Sequence, residues 1–105
     1  MNVPKVLRHV VSFKFKDDAT PEQIGEAVLN FENLPTKIPE IMDFEWGINN
    51  STEGHSKGFT HCFTLTFKDE STRDIYLKHK DHLAFVDKIG LLLADVFVMD
   101  YLTGD

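Results

Sequence analysis

His9 and His61 each sit on the more apolar side of an alternating segment, and Asp100 shares such a side with Val96 and Val98. A polar group buried among apolar neighbours is costly unless it is hydrogen-bonded, so all three require partners. Taken alone, either histidine reads as a core histidine whose bonds are satisfied. Asp100 has two readings of equal weight. It caps a chain end or meets an arginine near the last strand, or it accepts a hydrogen bond from an imidazole. In the second case it fixes the ring's tautomer and makes the other nitrogen a better base near neutral pH, the basis of general acid–base chemistry.

His79 and His82 are spaced i, i+3, which on a helix would let both reach one metal, yet no nearby cysteine or glutamate completes a ligand set. The chain lacks a G-x-S-x-G elbow, a Gly-rich phosphate loop and a cysteine pair. Serine hydrolases, P-loop enzymes and Rossmann dehydrogenases therefore have no support. Acid–base chemistry and simple binding remain.

The elements that must position these residues are legible from periodicity. Leu7, His9, Val11, Phe13 and Phe15 alternate with Arg8, Val10, Ser12 and Lys14, which predicts a strand. Thr20, Pro21 and Gln23 supply a cap, a first-turn proline and a capping-box partner, so a helix should begin at Pro21. Its apolar stripe is Ile24, Ala27, Val28, Phe31 and Leu34, closed by Pro35 and Pro39. Phe44, Trp46 and Ile48 mark a second strand, followed by a polar, turn-rich stretch over 49–57 that carries His55. Phe59, His61, Phe63, Leu65 and Phe67 form one face of a third strand. Ser71 should cap a second helix containing Ile75, Tyr76 and Leu77, a further helical stretch carries His82, Phe85, Val86 and Ile89, and the alternation of residues 96–101 makes the last strand. The resulting order, strand-helix-strand twice over, is that of an α+β, ferredoxin-like protomer with helices on one face of a four-stranded antiparallel sheet.

A chain of 105 residues that is 42% hydrophobic should form a single domain over 1–105. Its net charge of -6 argues against nucleic acid and anionic membrane as partners. No apolar run approaches the ~18 residues of a membrane span, and the N-terminal segment lacks a signal-peptide pattern. Cys62 stands alone, reads as a small buried hydrophobe, and fits a soluble protein of the reducing cytoplasm. If the helices cover the sheet face carrying Val11, Phe13, Phe63, Leu65 and Val98, the opposite face exposes Val10, Cys62, Phe97, Met99 and Tyr101. That face is too apolar for open water, and a second copy related by a two-fold axis is the simplest cover.

Five fragments in order, His9-Val-Val-Ser-Phe-Lys-Phe-Lys-Asp17, Trp46-Gly47, Lys57-Gly-Phe-Thr-His61, Tyr76-x-x-His79-x-x-His82-x-x-Phe85 and Val98-x-Asp100-Tyr101, resemble the stress-responsive dimeric α/β-barrel (Dabb) family from about Leu7 to Tyr101. The resemblance implies a homodimer whose two sheets form a barrel. It also implies a pocket between sheet and helices, lined by His9, His61, Val11, Val28, Phe31, Phe63 and Phe85. A polyketide cyclase of the family uses a histidine and a tyrosine at positions matching His82 and Tyr76, and the same comparison sets Asp100 to hydrogen-bond His82. On that pattern, neutral His82 would remove a proton next to a carbonyl while Tyr76 donates to the developing oxyanion. No cofactor is required for this. Some members hold a divalent cation at the dimer interface through backbone carbonyls, here those of Pro35, Ile38 and Ile41, where oxygen donors suit Mg²⁺ as a structural ion. This sequence departs from the cyclase in having Lys80 and Asp81 between the histidines and Val28 in place of an aromatic residue, which alters pocket size and substrate. Three functions follow: a dimer binding a small apolar or carbonyl-containing ligand, a cyclase or lyase-type enzyme, and a non-catalytic structural stress protein.

Overall fold

The period-2 segment at the start of the chain forms a strand because its odd residues bury and its even residues do not, from Leu7 through Phe13. In the computed structural model, which describes residues 5–104, this is β1 (Leu7–Phe15). It is followed by α1 (Pro21–Lys37), β2 (Asp43–Ile48), β3 (His61–Phe67), α2 (Glu70–Lys78), α3 (Lys80–Gly90) and β4 (Leu93–Leu102). The strands make one antiparallel sheet in the order β2-β3-β1-β4. This is the ferredoxin-like arrangement expected from the sequence.

The reciprocal cap at Thr20 sets the start of α1. The Thr20 hydroxyl accepts from the Gln23 amide at 3.2 Å, and the Gln23 side chain accepts from the Thr20 amide at 2.9 Å. Ala27, Val28, Phe31 and Leu34 form its buried stripe. Pro35 does not end the helix, contrary to expectation. Proline's fixed φ is helical, so its cost here is the bond it cannot give to the Phe31 carbonyl, and α1 runs on to Lys37.

Two further boundaries differ from those read off the sequence. The cap of α2 is Asp69 rather than Ser71. Asp69 accepts from the Thr72 amide at 2.9 Å while Thr72 accepts from the Asp69 amide at 3.2 Å, and the first of these bonds holds the Asp69 carboxyl below the usual carboxylate range. β3 starts at His61 rather than Phe59, because Lys57 and Gly58 both have positive φ and the Phe59 amide turns back to the Ser56 carbonyl at 3.0 Å.

The core lies between the sheet and α1, where Phe31 meets Phe13, Phe44, Phe63 and Phe85 at ring separations of 4.5–5.9 Å. The opposite sheet face is uncovered. Phe97 is 48% and Met99 55% exposed, and Cys62, expected inside, is exposed on this face. Coverage of the inner face is also incomplete: Val98, although directly opposite Val11, is 53% exposed because no helix reaches over β4. That gap positions the site.

Candidate functional site

α2 and α3 are separated by a single extended residue, His79 (φ -66, ψ 138), which ends one helix and caps the next. Its Nδ1 accepts the Asp81 amide at 3.1 Å. In one unbroken helix, residues six apart would point well away from each other. The break instead brings the Tyr76 and His82 rings to 4.3 Å. Each side chain lines a cavity of about 640 Å³ between the helices and the open inner face of β1 and β4. Its walls are largely apolar, with Val11, Phe31, Phe85, Val86, Val96 and Val98 among them, and its polar end holds His9, Tyr76, His82 and Asp100. This size and lining are those of small-molecule sites.

Asp100 meets both an imidazole and an arginine, but the imidazole is not the one implied by the family pattern. Its Oδ1 accepts from His9 Nδ1 at 2.7 Å and its Oδ2 accepts from Arg73 at 2.9 Å. It does not bond His82. The reason is register: His9 and Asp100 are directly opposed across β1 and β4, where side chains on one face approach most closely. The backbone serves His82 instead, since its Nδ1 donates to the Leu77 carbonyl at 3.1 Å, an oxygen that can only accept. In the neutral ring Nε2 then carries the lone pair, and burial lowers the His82 pKa from its ordinary 6.5, favouring that neutral form. Burial pushes the Tyr76 phenol in the opposite direction, well above its usual range, so it remains a donor.

One polar atom on each of two buried residues faces the cavity by elimination. His9 is 4% exposed and Tyr76 1%. Among the described residues nothing hydrogen-bonds His9 Nε2 or Tyr76 Oη, yet no sealed side-chain nitrogen or oxygen lacks a partner. Both atoms must therefore reach accessible space, and the cavity is the space that their rings line. The polar end offers two imidazole acceptors and one phenol donor.

Three residues expected in the pocket lie elsewhere. Val28 and Phe63 are buried in the core beside α1, outside the cavity lining. His61 stands at the far end of the sheet, stacked on Trp46 at 5.8 Å and 5°, edge-on to Phe15 at 5.2 Å, with Nδ1 against the Thr60 hydroxyl at 2.8 Å. Sequence reasoning missed Arg73, although its i, i+3 spacing from Tyr76 places both on one face of α2.

His79 and His82 do not present a free ligand pair, since the His79 lone pair is taken at Nδ1 by the Asp81 amide, leaving the His82 Nε2 as the single free imidazole acceptor of the two. Among the described residues no group of three metal-ligating side chains gathers. The bend after α1 is chemically compatible with a hard cation: the Pro35 carbonyl has no i+4 donor because residue 39 is also proline, while the Ile38 carbonyl accepts the Ile41 amide at 3.2 Å and retains a second lone pair. Among the described residues, no helix is long and apolar enough to cross a membrane.

The fold and site define a ferredoxin-like α+β protein with an apolar-walled cavity, open along β4, that carries acid–base groups. The family model of the Stress responsive A/B Barrel Domain matches residues 7–103, and the chain belongs to that family. It is 34% identical over 95 residues to the stress-response A/B barrel domain-containing protein HS1 of Arabidopsis thaliana, covering 90% of this chain and 87% of that one. It is 30% identical over 95 residues to olivetolic acid cyclase of Cannabis sativa, covering 90% and 94%. Among solved structures, the hydroxynitrile lyase of Passiflora edulis superposes with a TM-score of 0.91 at 23% identity, over 98% of this chain and 97% of that one, a likeness of fold.

Proposed function

We propose that this chain acts as a homodimer that binds a small apolar or carbonyl-containing ligand in the cavity between sheet and helices. The observation that carries the reading is the cavity itself: about 640 Å³ of apolar-walled space ending at His9, Tyr76, His82 and Asp100. Dimerisation is supported by the uncovered outer face and by the family's description as a barrel, since one protomer supplies an open sheet of four strands. A net charge of -6 speaks against nucleic acid or an anionic membrane as partner, and the lone Cys62 fits the cytoplasm. A Mg²⁺ ion at the carbonyls of Pro35, Ile38 and Ile41 would have a structural role.

A second reading, a cyclase or lyase-type enzyme, is favoured by the contact of Tyr76 with His82. His82 Nε2 would remove the proton α to a carbonyl and Tyr76 would hydrogen-bond the oxyanion that forms. The relatives that include a cyclase and a lyase support this chemistry without identifying a substrate. Saturation-transfer NMR with a panel of alkyl and aryl aldehydes and ketones tests binding, and loss of deuterium incorporation at the ligand α-carbon in His82→Ala tests the chemistry. Failure of the whole panel to bind would leave the non-catalytic structural reading.

A further inference from the structure

Asp100 has two carboxylate oxygens, and each is taken by a different side chain: Oδ1 by His9 at 2.7 Å and Oδ2 by Arg73 at 2.9 Å. Arg73 is itself anchored, its Nε donating to Asp74 at 2.9 Å. A planar guanidinium fixed at one edge holds a carboxylate with an orientation that a flexible ammonium does not impose. Asp100 is thereby kept turned toward β1, and both of its oxygens are occupied.

We infer that Arg73 is a positioning residue of the cavity: by holding Asp100 it fixes His9 as the Nδ1–H tautomer and so aims His9 Nε2 into the cavity as a second imidazole acceptor beside His82. An ionised carboxylate can only accept, so the proton on the bonded ring nitrogen belongs to His9. With Nδ1 the donor, Nε2 is the ring's remaining site, and it faces the cavity for the reason given above. His82 obtains the same tautomer independently, from the Leu77 carbonyl. Arg73 thus acts on one histidine and not on the other. The inference builds on the cavity reading of function, but the state of the His9 ring can be read without any ligand, so the two can fail separately.

Long-range ¹⁵N–¹H correlation spectra of the full-length protein, recorded above the histidine titration range, report which nitrogen of each imidazole carries the proton. In the wild type both His9 and His82 should show a protonated Nδ1 and an unprotonated Nε2. Arg73→Gln should lose the single tautomer at His9, giving averaged nitrogen shifts, while His82 keeps its pattern and serves as the control for an intact fold. Arg73→Lys should restore His9 in part. A protonated Nε2 at His9 in the wild type overturns the inference, as does an unchanged His9 in Arg73→Gln. Should Arg73→Gln fail to fold, rotation about the Arg73 Cζ–Nε bond in the wild type decides: slowed rotation supports the hold on Asp100, and free rotation contradicts it.

Discussion

His9 on β1 and Asp100 on β4 stand directly opposite each other in the ladder, and the imidazole Nδ1–H meets the carboxylate at 2.7 Å. Because the His9 ring is buried, Asp100→Ala strands a donor and should destabilise the protein by about 1–3 kcal/mol. Asp100→Asn should cost less, since its amide oxygen still accepts. Urea denaturation at neutral pH measures both, and equal midpoints for all three proteins would refute the pairing.

Stability should fall on the acid side of neutrality in two separate limbs. Burial lowers the pKa of His82 and His61 below 6.5, so the folded chain takes up protons less readily than the unfolded one. Their contribution is therefore complete above 6.5 and diminishes as the pH falls from there toward the folded values. Asp69, whose carboxyl is depressed by its helix-capping bonds, contributes above its ordinary 3.8, and that contribution is lost as pH falls through the lower folded value. The urea midpoint followed against pH should show a shallower upper limb in His82→Gln, with the lower limb unchanged. A flat profile from 6.5 downward in the wild type would contradict the burial of these rings.

The order of strands and helices along the chain, the helix cap at Thr20 and the uncovered outer face were all legible in the sequence, because each depends on local pattern: a switch between periods of two and 3.6, a reciprocal side-chain bond, and a count of apolar residues with no element left to cover them. The partnership of Asp100 was not. It depends on the register between β1 and β4, which lie far apart in sequence and carry no turn linking them, and on an arginine whose spacing from Tyr76 becomes informative only once α2 is placed. His61 illustrates the same limit. It shares the inner face with His9, but their separation along the sheet puts it against Trp46 instead of the cavity.

The outer sheet face should govern assembly. Phe97 and Met99 lie on β4 on the side away from the helices, each about half exposed, and a charged pair there would remain solvated in a monomer but be buried in a sheet-to-sheet dimer. Sedimentation velocity should give twice the chain mass for the wild type and the chain mass for the double variant Phe97→Asp, Met99→Asp, with far-ultraviolet circular dichroism unchanged. A wild type that sediments as a monomer at micromolar concentration contradicts the homodimer.

Thr20→Ala removes one side of the cap on α1 and should cost about 1 kcal/mol without altering ligand binding, since the cap lies away from the cavity lining. Thermal unfolding read beside the ligand panel separates the two effects. A loss of binding larger than the loss of stability explains would place α1's first turn in the site.

The most direct test of the cavity as the functional site is residue-resolved: titration of the ¹⁵N- and ¹³C-methyl-labelled protein with the aldehyde and ketone panel, following Val86, Val96, Val98 and the His82 ring. The cavity reading predicts saturable shifts at these groups, and their loss when Val98→Trp fills the open side along β4. A panel that leaves them unmoved, or that moves only the outer face around Phe97 and Met99, would contradict it.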